Sequence, residues 1–331
     1  MTFATSFIIA VFIALFGTPL VRRLAIRMGA IDRPEEGRRV HKKPTPRWGG
    51  IAVFLAVAAA WLAVYPISHI AQGEPTVGPY TVNSIWIFGI GLAVVLFGLL
   101  DDRLPIPPAG QALFLLTCGV VLAHPSLGDI RIEGITRPFT APGAEGGYIG
   151  FSQLNSVIFT AVFVFVIAKT MDTIDGIDGL AAGIAAIGAA TMFILALNEQ
   201  PLIGVLSAAV MGACLGFLRH NYHPAKIFLG TGGAQFLGYF LAAVSIQGVM
   251  KTAATVALIL PLLMFGVQVF DALFVVARRI FSGQPITKPD MRHIHHTLLG
   301  RGLSQRQTVW ILYVFAILLC ATAVLVVKLA A

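Results

Sequence analysis

The stretch Lys169 to Leu180, KTMDTIDGIDGL, carries Asp172, Asp175 and Asp178 at intervals of three residues. Long apolar runs flank it, Ser156 to Ala168 before and Ala181 to Leu197 after. Carboxylates between two membrane-length apolar segments are costly unless they sit at a water-facing end and bind something. Side chains three apart occupy neighbouring positions on a helix, so successive carboxylates could converge on one cation or one phosphate. A polar turn that caps the next helix accounts for one aspartate. Three ask for more.

Four further clusters carry related chemistry. Asp101 and Asp102 end an apolar run, where paired carboxylates oppose the helix dipole unless a cation offsets them. One of the two could also act as a base toward an acidic oxygen. His41, Lys43 and Arg47, in HKKPTPRWGG, offer positive charge to a headgroup or a nucleotide phosphate. An ordinary basic loop beside a membrane has the same composition. Asn221 and Lys226 lie in RHNYHPAK, ahead of the glycine-rich turn Gly230–Thr231–Gly232–Gly233–Ala234. Its N–H groups could face phosphate, although it lacks the Gly-Lys-Ser/Thr ending of a P-loop. Arg292, His293, His295, His296 and Arg301 follow in RHIHHTLLGR. Three histidines suggest zinc, but no cysteine lies near; imidazole and guanidinium groups beside an aspartate site suit a diphosphate better. Asp271, alone in an apolar segment, calls for a partner that the sequence does not name. Hard oxygen donors, cationic side chains and a membrane-buried body together suit chemistry between a lipid phosphate and a cytosolic phosphate. The ion for it would be Mg²⁺, with Mn²⁺ as the alternative.

These clusters need apolar elements to carry them. Of the 331 residues, 57% are hydrophobic and 11% charged, against about 25% charge in a soluble domain. A hydrocarbon core about 30 Å thick takes about 20 apolar residues per helix, which gives about ten spans here. They cover residues 3–21, 48–66, 83–100, 108–124, 154–171, 179–197, 202–218, 231–248, 252–277 and 308–329. The expected fold is an all-α polytopic membrane protein, a single domain over residues 1–331. Residues 125–153 alternate apolar and polar and predict a short β-hairpin outside the helices. Cys118, Cys214 and Cys320 fall in apolar runs and read as small core residues.

The net charge of +8 is unevenly spread. Loops 22–47 and 278–306, with Arg103, Lys169, Arg219 and Lys226, hold most of the basic residues on one side. The positive-inside rule puts that side in the cytoplasm and both termini outside. Every polar cluster above lies on this cytoplasmic side. The basic excess then meets anionic headgroups and phosphates, and nucleic acid is not needed as a partner.

The DD pair, DGIDGL, NYHPAKIFLG and HIHHTLLGRGLSQRQ, in that order, resemble the polyprenyl-phosphate N-acetylhexosamine-1-phosphate transferases. The resemblance runs from VHKKPTPRWGG to SQRQTVWILY, and the last stretch looks like the GlcNAc-1-phosphate branch rather than the pentapeptide branch. It implies that undecaprenyl phosphate attacks a UDP-N-acetylhexosamine and releases UMP, at a bacterial plasma membrane. Asp101, Asp102, Asp175 and Asp178 would be catalytic. His41, Lys43, Arg47, Asn221, Lys226, Arg292, His293, His295, His296 and Arg301 would bind substrate. Asp102, Asp172, Asp175 and Thr231 would surround Mg²⁺. The lipid bilayer is a further partner, and a homodimer is left open.

Two departures from the family pattern stand out. Where the family usually has G-D-x-G-S, this chain has Thr231 in the aspartate's place; where it has N-x-x-N, this chain has Lys169 and Asp172. The expectation is that Asp172 supplies the missing carboxylate from the neighbouring segment. Two other readings are a non-catalytic relative that binds the lipid carrier or nucleotide sugar, and an ion-coupled transporter. Charges crowded at one membrane face argue against the transporter.

Overall fold

The computed structural model describes residues 2–34, 43–71, 79–136, 148–197, 200–248, 259–283 and 293–330. Long apolar runs with high helix propensity become helices. In chain order these are α1 (Thr2–Arg27), α2 (Gly49–Ala71), α3 (Pro79–Asp101), α4 (Pro108–Ala123), α5 (Gln153–Ile174), α6 (Leu180–Ala196), α7 (Pro201–Asn221) and α8 (Gly230–Gln247). After them come α9 (Ile259–Met264), α10 (Gly266–Phe281), α11 (Ile294–Gly300) and α12 (Gln305–Ala330). Among the described residues, five helices are long and apolar enough to cross a membrane, and the apolar parts of α2, α4 and α6 are shorter. Outward side chains such as Phe16, Leu154 and Leu318 are at least 60% exposed. In water such a surface would aggregate, whereas lipid accepts it. This is the architecture of a polytopic membrane protein.

Local chemistry sets the helix ends. Proline starts α4 and α7, where its missing N–H costs nothing. The Ser152 hydroxyl accepts the Asn155 N–H at the start of α5. At the start of α12, Ser304 and Gln307 exchange bonds as a capping box: Ser304 N–H donates to Gln307 Oε1 at 2.9 Å, and Gln307 N–H to Ser304 Oγ at 3.3 Å.

Helix α8 is the axis. Every residue from Gly232 to Gln247 is buried, as expected of a helix that is apolar all round. It packs on α2, α3, α5 and α6. Glycine permits the closest of these approaches. A Cβ on Gly98 would collide with Gly232, one on Gly50 with Gly233, and one on Gly232 would come 2.6 Å from the Val95 carbonyl. Backbones of α2, α3 and α8 therefore touch directly at the end of α8 that begins with Gly230 and Thr231.

The span expected over residues 252–277 is not one helix. Its first residues lie outside the description, and the rest divides at Phe265 into α9 and α10. Helix α10 buries Gln268, Asp271 and Arg279 on one side while Phe270, Leu273 and Phe274 face outward.

Two small antiparallel sheets complete the chain. The expected hairpin is β3 (Gly134–Thr136) against β4 (Tyr148–Gly150), in register Ile135↔Ile149. It precedes α5, about 33 Å of helix away from the aspartates at the far end. The other sheet pairs β1 (Ile31–Asp32) with β2 (Thr45–Pro46), placing Asp32 opposite Thr45.

Candidate active site

The ends of α3, α5 and α7, the start of α8 and α12, and α11 enclose a cavity of about 290 Å³. Acidic residues line it most densely. Asp102 follows α3 directly, and its side chain is 1% exposed. Its Oδ1 accepts the Thr231 N–H at 3.3 Å and faces Arg47 Nη1 at 3.4 Å, while its Oδ2 is buried with no partner among the described residues. Burial raises the Asp102 carboxyl to about 6 against the opposing pull of Arg47 and the Thr231 N–H. Arg47 leaves β2 and also pairs with Asp32 at 2.8 Å. Asp32 thus holds the guanidinium at the rim, a role no sequence pattern announced.

The three aspartates of the central stretch have three different environments. Asp175 caps the end of α5 and lines the cavity. Enclosure by protein pushes it up to about 8, reinforced by Asp172, Asp102 and Asp178. Asp172 lines the cavity, but its Oδ2 is taken by Lys169 Nζ at 2.7 Å and Gln235 Nε2 at 3.4 Å. Asp178 turns one oxygen to the Ala225 N–H at 3.0 Å and His223 Nδ1 at 2.7 Å. That contact anchors the NYHPAK loop to the aspartate turn.

Asn221 fastens the same two segments. Its Oδ1 accepts the Gly179 N–H and its Nδ2 donates to the Ile227 carbonyl, both at 3.0 Å. Gly179 has φ +83°, a left-handed conformation that glycine adopts without a Cβ clash. Tyr313 from α12 donates its hydroxyl to the Gly179 carbonyl at 2.6 Å.

The histidine segment closes the opposite wall. Asp271 finds its partner here: His293 Nδ1 lies 2.8 Å from its Oδ2, and the Ile294 N–H donates to its Oδ1 at 2.7 Å. His295 is buried against Gly176, where a Cβ would collide with Nε2. Burial lowers the His295 pKa to about 3, so the ring is neutral at physiological pH. His296 reaches the cavity beside Gln305, whose Oε1 is buried without a partner among the described residues. Gln305 belongs to the GLSQRQ stretch, and its place at the first turn of a capped helix is its sequence signal.

The remaining site candidates lie elsewhere. Asp101 does not line the cavity; its Oδ1 accepts the Ile106 N–H at 2.8 Å and Gln111 Nε2 at 3.0 Å. Lys43, Lys226 and Arg301 are exposed and outside the lining. His41 and Arg292 lie outside the described residues.

Among the described residues, no three His, Cys, Asp or Glu side chains converge to hold a metal by themselves. The oxygen set nevertheless fits Mg²⁺. That ion keeps several waters and takes one or two carboxylates plus substrate phosphates. Asp102 Oδ2, without a partner among the described residues, and the carboxylate of Asp175 face one cavity with Thr231.

Residues 84–249 match the model of glycosyl transferase family 4. Over 321 residues the chain is 35% identical to a "probable undecaprenyl-phosphate N-acetylglucosaminyl 1-phosphate transferase" of Bacillus subtilis, covering 96% of this chain and 83% of that protein. The chain belongs to glycosyl transferase family 4. It is also 33% identical to a decaprenyl-phosphate N-acetylglucosaminephosphotransferase of Mycolicibacterium smegmatis, over 92% of this chain and 77% of the relative. A phospho-N-acetylmuramoyl-pentapeptide-transferase of Oceanobacillus iheyensis shares 31% identity over 91% and 89%. The matched family 4 region holds Asp102, all three central aspartates, Asn221 and Thr231. Arg47, His296 and Gln305 reach the same cavity from outside it.

Proposed function

We propose that this protein transfers N-acetylglucosamine 1-phosphate from UDP-GlcNAc to undecaprenyl phosphate at a bacterial plasma membrane, with the cavity on the cytoplasmic face. The observation that carries the proposal is the Asp102 Oδ2, without a partner among the described residues, in a cavity that also holds Asp175, Arg47 and His296. The relatives' names supply the substrate class.

In the reaction a lipid-phosphate oxygen bonds to the β-phosphorus of the nucleotide sugar. The bond from that phosphorus to the bridging oxygen breaks, and UMP leaves with the electron pair. Phosphoryl transfer needs mainly positioning and charge neutralisation. Asp102 Oδ2, which has no hydrogen-bond partner among the described residues, is placed to take a proton from the lipid phosphate. Arg47 offers its guanidinium to the phosphate oxygens. Asp178 and Asn221 shape the loop below the donor, and His296 with Gln305 lines the wall against it. Asp102 and Asp175, with Asp172 and Thr231 nearby, would hold Mg²⁺ or Mn²⁺, which when bound neutralises diphosphate charge.

Incubating purified protein with undecaprenyl phosphate, UDP-GlcNAc and Mg²⁺ tests the reading. UMP release should require lipid and metal and fall at least about 100-fold in Asp102→Asn and in Asp175→Asn. Binding without release, across a panel of UDP-sugars, would instead identify a non-catalytic relative; Thr231 in place of an acid is the feature that favours it.

A further inference from the structure

Lys169 has no role in the site as described, yet it makes two of the shortest polar contacts near it. Its Nζ donates to Asp172 Oδ2 at 2.7 Å and to Gln111 Oε1 at 2.6 Å. Gln111 Nε2 in turn donates to Asp101 Oδ1 at 3.0 Å, and that oxygen also accepts the Ile106 N–H. Gln235 Nε2 joins from α8 at 3.4 Å. The chain of bonds runs from α3 through α4 to α5 and α8. Asp172 lines the cavity itself, and the other outer members are near neighbours of lining residues: Asp101 of Asp102, Gln235 of Thr231.

The helices set this geometry indirectly, because α3 and α5 are each held by α8 and α4. α5 packs on α4 and α8, and α3 packs on α8, but α3 and α5 share no comparable contact. The bonds from Lys169 to Gln111 and from Gln111 to Asp101 therefore add a polar side-chain link between the two carboxylate-bearing ends. A lysine suits the bridge because one ammonium donates to an amide and a carboxylate at once. At 35% side-chain exposure it is also not a core packing residue.

We propose that Lys169 is a positioning residue for the transfer. Through Asp172 and Gln111 it ties the end of α5 to the end of α3 and fixes the separation of Asp175 from Asp102. The inference rests on the transferase reading for its kinetic part alone. Misplacing a reacting group by about 1 Å can cost about 100-fold in rate.

The test combines hydrogen exchange with kinetics on the full-length protein in Lys169→Met, Lys169→Arg and Gln111→Leu. Lys169→Met and Gln111→Leu should speed exchange of the Ile106 amide. They should also lower kcat for UMP release by about 10- to 100-fold while leaving the UDP-GlcNAc KM and the unfolding temperature nearly unchanged. Lys169→Arg should recover most of the rate. Unchanged exchange and kcat would overturn the relay, as would a matched fall in kcat and unfolding temperature with no rescue by arginine. Faster exchange in a protein whose unmutated form releases no UMP from any UDP-sugar would sink the transferase reading, and the kinetic role with it.

Discussion

Asp102 and Asp175 hold their protons further up the pH scale than a surface aspartate does, at about 6 and about 8. Burial is the leading cause for both, because it penalises the charged form. Any cation that binds must first displace those protons. Mg²⁺ affinity should therefore rise with pH, most steeply below about 6 where both groups carry protons, less steeply from about 6 to about 8 where Asp175 alone does, and each ion bound should release protons. Calorimetry in buffers of different ionisation enthalpy reads the release; a flat affinity across that window would contradict it. The sign for stability is the reverse. From 3.8, the ordinary aspartate value, up to these raised values the folded protein holds protons that the unfolded chain has shed. The cation-free fold thus gains stability from these groups at low pH and loses it as pH climbs through about 6 and about 8. Much of this residue set was legible from spacing alone. Asp102 and the DGIDGL aspartates declared themselves as carboxylates beside apolar runs. Asp32 did not, because its meaning comes from a two-residue strand that pairs across an intervening loop. Nor did the division of labour between Asp101 and Asp102, which depends on which way each side chain leaves the end of α3.

At the scale of elements, the helices were legible because a membrane span writes itself as composition, and the break at Phe265 was not. A polar face among apolar residues is a matter of rotation about the axis, which hydropathy averages away. The glycines read in the sequence as a weak hint at phosphate binding, with membrane-helix packing as the alternative, and the structure puts Gly232 and Gly233 against the backbones of α3 and α2. Gly232→Ala should force α8 away from the Val95 carbonyl and destabilise the protein by about 1–3 kcal/mol. A lowered unfolding temperature in detergent, with activity falling alongside it, is the expected outcome. An alanine variant as stable as the parent would show that the joint can open. Tyr313 and Asn221 make the corresponding joint on the other side of the aspartate turn through hydrogen bonds at 2.6 and 3.0 Å.

For the whole molecule, the uneven basic charge yields a topology that labelling can check. Cysteine placed at Thr136, in β3, should react with a membrane-impermeant maleimide on intact cells, and cysteine placed at Lys43 only after lysis. The native cysteines Cys118, Cys214 and Cys320 are buried and should contribute little background. Reversed labelling would put the cavity on the outer face and remove access to cytosolic nucleotide sugars. The direct contact of α2, α3 and α8 has a mechanical consequence. A joint of main chain on main chain contains no layer of side chains to squeeze, whereas the His296 wall is the short helix α11, held by side-chain contacts such as His293 with Asp271. Hydrostatic pressure should therefore leave the Asp102–Thr231 side almost rigid and act on the opposite wall. The pressure dependence of turnover would then report the compressibility of one wall of the cavity, with the other serving as the fixed anvil.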